Sequence, residues 1–305
     1  MVNIPAVFQE KILHQYGRVG REWLAALPDR LQNAARRWSL DLLAPLSDSR
    51  YHLLLRAREH NGPERVLKAG FPSRELLTEI AALKRFRGPG TVRLIRANFR
   101  EGLLLLESIH PGTPLTRLED DLLAAETAAE LIDKRWIPAP HGKLFPTLGD
   151  WCRVLRQPPG LAPSGTFPNR NHHLSRAQRL AANLLADSPR AVLLHGDLHQ
   201  GNILKAGPET WRAVDPKGVI GEPAAEIGPF MINPAPDLIR WPDLKKVLSN
   251  RLAVFAEELA LNPRRLWAWS YIRAVLAAAW SAEEESPAGI SYFLSCADQL
   301  LEIAP

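Results

Sequence analysis

The sequence predicts an α+β protein in two lobes, an antiparallel-sheet lobe with one main helix followed by a larger, mostly helical one. Three observations carry that prediction. Over residues 40–106 apolar side chains recur at strand spacing between turns rich in Pro, Gly, Asn and Ser. After Leu115 they recur every three to four residues, the helical period. Within that helical part, a strongly polar loop, His195-Gly196-Asp197-Leu198-His199, breaks out of the apolar run 191–194.

The bulk properties bound the rest. A chain of 305 residues is long enough for two lobes with separate cores. Hydrophobic residues make up 46% and charged residues 23%, ordinary values for a globular enzyme. The net charge of +5 is spread along the chain with no Lys/Arg block, which argues against a nucleic-acid partner. The longest apolar run, 274–280, is far short of a membrane span. No leader-like segment is seen, and Cys152 and Cys296 are two lone cysteines without metal-ligand spacing. A cytoplasmic protein, monomeric or weakly dimeric, is expected.

Residues 1–40 read as helical, with Phe8, Ile12, Leu13 and Tyr16 on one face and an interruption at Pro28. Segments 40–46, 51–55 and 64–69 read as strands, and the third carries Lys68 between apolar neighbours. A helix follows, with Ser73 as N-cap and Leu76, Ile80 and Leu83 as its buried stripe. Glu75 and Glu79 border that stripe one turn apart, so either has the reach to pair with Lys68. Strands at 91–97 and 102–106 run into Glu107-Ser108-Ile109-His110-Pro111-Gly112.

From Leu115 to Ile132 the pattern is helical, and Pro/Gly-rich loops occupy 138–146 and 157–171. His172-His173 has no matching third ligand nearby, which speaks against a metal there. After a helix at 174–185 comes the strand 191–194 and its polar loop. Residues 203–204 and 211–214 form a hairpin that brings Asp197, Asn202 and Asp215 near one another. Two carboxylates and an amide oxygen are hard ligands, and so small a set suits Mg²⁺, which takes its remaining ligands from water and phosphate. One Asp to accept a hydroxyl proton, with an Asn and an Asp to hold metal, is what phosphoryl transfer requires.

Helices are expected at 238–261 and 264–280, with Trp267, Tyr271, Leu276 and Trp280 as core. Glu283-Glu284-Glu285 follows and reads either as a solvated helix end or as a carboxylate rim for cationic ligands. Glu222 precedes a Pro-started helix, where a carboxylate serves the helix N-terminus.

The string Leu194-His195-Gly196-Asp197-Leu198-His199-Gln200-Gly201-Asn202-Ile203-Leu204, with Asp215-Pro216-Lys217-Gly218 thirteen residues after Asn202, resembles the catalytic and metal loops of the small-molecule branch of the protein-kinase-like fold. Within it the similarity is to the aminoglycoside and hydroxyurea phosphotransferases, a group that includes streptomycin 6-phosphotransferases. It is strongest over residues 190–235.

That resemblance implies a two-lobed protein-kinase-like fold. Residues 1–107 would form the nucleotide-binding lobe and 108–305 the catalytic and substrate lobe. Lys68 would hold the α/β-phosphates, paired with Glu79, which matches the family's glutamate. The backbone of Glu107 and Ile109 would meet the adenine edge. The first turn of the sheet, which in this fold covers the phosphates and usually carries glycine, here has none. It offers Ser47 and Ser49 around Asp48, whose charge would repel phosphate. Asp197 would be the catalytic base that also meets the substrate hydroxyl, with Asn202 and Asp215 as metal ligands and His195 as an orienter. Glu226 would hold the loop or face substrate, and Glu283 and Glu284 would meet a cationic substrate.

ATP and Mg²⁺ are the implied cofactors. The leading expectation is a kinase moving the γ-phosphoryl of ATP to a hydroxyl of an aminoglycoside such as streptomycin. A kinase of a host metabolite, an amino alcohol or sugar, is the second reading. A catalytically weak nucleotide-binding pseudokinase is the third.

Overall fold

The computed structural model describes residues 4–46, 52–87, 90–133, 136–156 and 170–305. Ser47 and Ser49 lie outside the described residues. The chain divides into two compact units, Met1–Gly112 and Thr113–Pro305.

In the first unit a long helix α1 (Ala6–Trp38) precedes strands β1 (Leu40–Pro45), β2 (Leu53–Glu59) and β3 (Glu64–Ala69). Helix α2 (Arg74–Arg85) and strands β4 (Leu94–Asn98) and β5 (Leu103–Glu107) complete it. The five strands form one antiparallel sheet in the order β1-β2-β3-β5-β4. Strand alternation sorts its side chains. Leu53, Leu55, Ala57, Leu67, Leu103 and Leu105 join Phe8, Trp23, Leu27 and Leu31 of α1 in one core. Lys68 points to the other face, paired in register with Leu54 and Leu104. The interruption of α1 is at Gly17 (φ 53°, ψ −127°), whereas Pro28 lies within the helix. Proline removes one helical hydrogen bond, but glycine alone adopts such a backbone at no steric cost.

The second unit is built around helix α8. In chain order it has α3 (Asp121–Asp133), β6 (Ile137–Pro138), α4 (Leu148–Cys152), α5 (Arg170–Ala186) and β7 (Val192–Leu194). Next come β8 (Ile203–Lys205), β9 (Trp211–Ala213), β10 (Val219–Gly221) and α6 (Gly228–Met231). Three helices end the chain: α7 (Leu244–Glu258), α8 (Pro263–Glu283) and α9 (Pro287–Leu301). The helix expected over 238–261 is thus two pieces, because residues 238–240 form a 3-10 turn and α7 begins only after Trp241-Pro242-Asp243. The residue before a proline is biased away from the helical region, and Trp241 is extended (φ −69°, ψ 139°).

Helix α8 starts at an Asn262 cap, whose side chain accepts from the N–H groups of Arg264 and Arg265, with Pro263 at the first position. It packs against α5, α6, α7 and α9. Arg251 of α7, fully buried, ties this unit together. Its guanidinium donates to both carboxylate oxygens of Asp121 on α3, at 2.9 and 2.6 Å, and to the carbonyls of Phe230 and Asn233. Among the described residues no helix is long and apolar enough to cross a membrane.

Candidate active site

In the second unit the apolar strand β7 ends at Leu194 and pairs antiparallel with β10, Leu194 opposite Val219. That pairing lays the loop 195–202 beside the loop 214–218, and the N–H groups of Lys217 and Gly218 donate to the carbonyl of His195. The hairpin β8-β9, with Ile203 opposite Ala213, closes the other side, where the N–H of Val214 donates to the carbonyl of Asn202 at 2.9 Å. Asp197, Asn202 and Asp215 therefore stand on two adjoining loops at the ends of short strands. Asp215 has φ +62°, a left-handed conformation that non-glycine residues rarely adopt outside special sites.

Each loop side chain has a defined task. His195 is buried; its Nε2 donates to the carbonyl of Val214 at 2.9 Å and its Nδ1 accepts from the N–H of Asp197 at 3.3 Å. Both nitrogens are engaged inside the loop, an arrangement that braces it. Asn202 donates its amide N–H to the carbonyl of Asp197 at 2.9 Å, so its oxygen is the atom left to meet a cation. His199 caps the short turn 200–202 by accepting from the N–H of Gly201, which requires the neutral ring. Burial, the largest influence, holds its pKa below the ordinary imidazole value despite the neighbouring Asp197 and Asp215.

Glu226 is 3% exposed, and its two carboxylate oxygens accept from the N–H groups of His195 (2.8 Å) and Gly196 (2.9 Å). Of its two expected roles this geometry is that of holding the loop from beneath. Glu222 occupies the helix cap position but makes no cap hydrogen bond. Its carboxylate instead pairs with the Arg265 guanidinium at 2.9 and 2.5 Å, a charge-assisted fork that outcompetes backbone N–H groups.

Sequence reasoning missed Arg273 of α8. Its Nη2 donates to Asp197 Oδ1 at 2.7 Å and its Nη1 to the carbonyl of Gly196 at 3.1 Å. The guanidinium lies 5.7 Å from the ring centre of Trp151 and 5.0 Å from that of Trp280. Burial alone would raise the Asp197 carboxyl. Arg273 above all, with Lys217, reverses this and holds it below the usual carboxylate value. One signal was available: Arg273 is the single charged residue between Leu266 and Ala282 in an otherwise apolar helix.

In the first unit Lys68 Nζ lies 2.7 Å from Glu79 Oε1, and both side chains are buried. Ser73 caps α2 by accepting from the N–H of Leu76, which sets the helix phase that turns Glu79 inward and leaves Glu75 exposed. The N–H of Glu107 is engaged by the carbonyl of Arg93, and its carboxylate accepts from the N–H of Arg93. The Glu107 N–H, one of the backbone groups expected to meet adenine, is thus engaged within the sheet. Glu283 and Glu284 are both exposed, as the last residue of α8 and its C-cap.

Residues 37–285 match the family described as aminoglycoside/hydroxyurea antibiotic resistance kinase. The chain belongs to that family. Streptomycin 6-kinase of Streptomyces glaucescens is 29% identical over 289 residues, 94% of each chain. Hydroxyurea phosphotransferase of Kitasatospora aureofaciens is 31% identical over 288 residues, covering 93% of this chain and 82% of that one. Among solved structures, aminoglycoside phosphotransferase APH(4)-Ia superposes with a TM-score of 0.65 at 16% identity, over 91% of this chain and 100% of that one. Choline kinase LicA from Streptococcus pneumoniae superposes with a TM-score of 0.62 at 10% identity, over 89% and 97%. The fold of this kinase-family member is accordingly protein-kinase-like, and the enzyme is a phosphotransferase with an alcohol group as acceptor.

The donor set is suited to magnesium. Asn202 and Asp215 offer hard oxygen ligands on loops joined by a backbone hydrogen bond. Among the described residues no group of three His, Cys, Asp or Glu stands ready to hold a metal unaided. Of the His172-His173 pair, His173 is buried, with Nδ1 2.8 Å from the Tyr271 hydroxyl and Nε2 3.1 Å from Asp298 Oδ1.

Proposed function

We propose that this kinase transfers the γ-phosphoryl of ATP, with Mg²⁺, to a hydroxyl of an aminoglycoside such as streptomycin. The observation that carries the reading is Asp197. It is an ionised carboxylate at the tip of a loop fixed by Glu226, His195 and Asn202, with two hard oxygen donors beside it. Its role is to orient the acceptor hydroxyl and take the hydroxyl proton. Asn202 and Asp215 would hold Mg²⁺, which when bound draws charge from the phosphate oxygens. Lys68, fixed by Glu79, would hold the α/β-phosphates, and the Glu107 carbonyl with Ile109 would meet the adenine edge. Ser47 and Ser49 would lie over the phosphates. Positioning and charge neutralisation supply most of the rate in such reactions.

The cationic acceptor is supported by Glu283 and Glu284. Both carboxylates stand at the C-terminal end of α8, where the helix dipole disfavours negative charge. Carboxylate charges at that end are suited to drawing ammonium or guanidinium groups towards a protein of net positive charge. The streptomycin 6-kinases of two Streptomyces species, aligned over more than nine-tenths of this chain, point to the same substrate class. The free, buried thiols of Cys152 and Cys296 suit a reducing cytosol, where ATP and Mg²⁺ are supplied.

The test is ADP release with Mg²⁺-ATP in the presence of streptomycin, hydroxyurea, choline or no acceptor, with mass analysis of the product. Streptomycin-stimulated release with a product heavier by one phosphoryl group is the expected result. Stimulation by hydroxyurea or choline alone would overturn the substrate assignment.

A further inference from the structure

We propose that Arg273 is a positioning residue of the transfer reaction, its guanidinium fork fixing Asp197 so that one carboxylate oxygen is held and the other meets the acceptor hydroxyl. This rests on the reading of Asp197 as the base.

The fork geometry is the first ground. Nη2 engages Asp197 Oδ1 at 2.7 Å while Nη1 engages the carbonyl of Gly196, the preceding residue, at 3.1 Å. One planar group thus fixes both the side chain of the base and the backbone that carries it. A lysine, a point charge without a fork, cannot do both in one plane.

The housing of that guanidinium is the second ground. Trp151 of α4 and Trp280 of α8 meet edge to face, with ring centres 5.4 Å apart, and both lie within 6 Å of the guanidinium carbon. Two glycines keep the space open. At Gly196 (φ +80°) a Cβ would stand 2.9 Å from the Trp151 ring, and at Gly228 a Cβ would stand 2.8 Å from Arg273 Cβ. Any side chain at either place would push the arginine or its tryptophan wall out of line. Trp151 of α4, Trp280 of α8 and the loop 195–202 meet at one guanidinium, and Gly228 of α6 packs on its stem.

The arrangement also divides the work at Asp197. Oδ1 accepts from Arg273, so the rotamer is fixed and the hydroxyl proton goes to Oδ2. Glu226 holds the loop from the N–H groups of His195 and Gly196, and Arg273 holds it from the Gly196 carbonyl. Together they leave the base little freedom to turn away from the acceptor.

The experiment uses the full-length enzyme with Mg²⁺-ATP and the acceptor that stimulates ADP release. Arg273→Ala should lower kcat about 100-fold, the scale of a misplaced reacting group, while KM for ATP stays within about threefold. Methylguanidine at millimolar concentration should restore part of kcat in Arg273→Ala by entering the slot between the tryptophans, and restore none in Asp197→Ala. Arg273→Lys keeps charge and stem and should melt at the parental temperature. Without the fork it should still lose about 10-fold in kcat.

Parental kcat in either arginine variant, with Asp197→Ala inactive, would overturn the positioning role and leave the base assignment standing. Parental turnover in Asp197→Ala would instead remove the base assignment itself.

Discussion

Lys68 Nζ stands 2.7 Å from Glu79 Oε1, an ion pair with 0% and 5% of the two side chains exposed. Removing one partner breaks a charge-assisted pair held away from water. Glu79→Ala should therefore destabilise the protein by about 3–5 kcal/mol in denaturant unfolding. Replacing both with apolar residues, Lys68→Met with Glu79→Leu, should recover most of that stability and none of the turnover. A double variant as unstable as the single one would contradict this account of the pair.

Glu226→Gln tests the support beneath the catalytic loop. The amide keeps one acceptor oxygen and sets an NH₂ against the other backbone N–H. The lost charge-assisted hydrogen bond should cost about 1.5–3 kcal/mol of stability. Turnover should fall while KM for ATP is unchanged. A rise in acceptor KM alone would return Glu226 to the substrate.

Much of this was legible in the sequence because it is local. Lys68 sits in an alternating strand, and the Ser73 cap fixes the helix phase that selects Glu79. Asp197, Asn202 and Asp215 lie within nineteen residues on two loops and a hairpin. What escaped is long-range. Arg273 reaches Asp197 across 76 residues from a helix position whose neighbours report only core packing, and Arg265 reaches Glu222 across 43 from the first turn of the same helix. Glu222 looked like a cap because its local setting is a cap. A better partner 43 residues away decided otherwise.

Gly196→Ala places a Cβ 2.9 Å from both Trp151 and Val219 at a φ of +80°. Strain of this kind costs on the order of 1–3 kcal/mol, so the melting temperature should fall. Because the same shift moves the Arg273 housing, kcat should fall with it. A stable, fully active alanine variant would refute the close packing at this position.

His173 makes stability depend on pH. Burial, the largest influence, together with His172 and Arg176, holds its pKa below the ordinary 6.5 despite Asp298, while Tyr271 meets its other nitrogen. Below 6.5 the unfolded chain binds a proton that the folded one resists, so this contribution is full above that pH and lost as pH falls. His173→Gln should flatten the slope of unfolding free energy as pH falls below 6.5. An unchanged slope would assign the pH dependence to other groups, His199 first.

The measurement nearest the central claim is turnover of Asp197→Ala with Mg²⁺-ATP and streptomycin, alongside its circular dichroism and ATP affinity. The expected result is a folded protein that binds ATP as the parent does and turns over about 10²–10⁴-fold more slowly, the range for losing a general base. Near-parental turnover in the folded variant would contradict it.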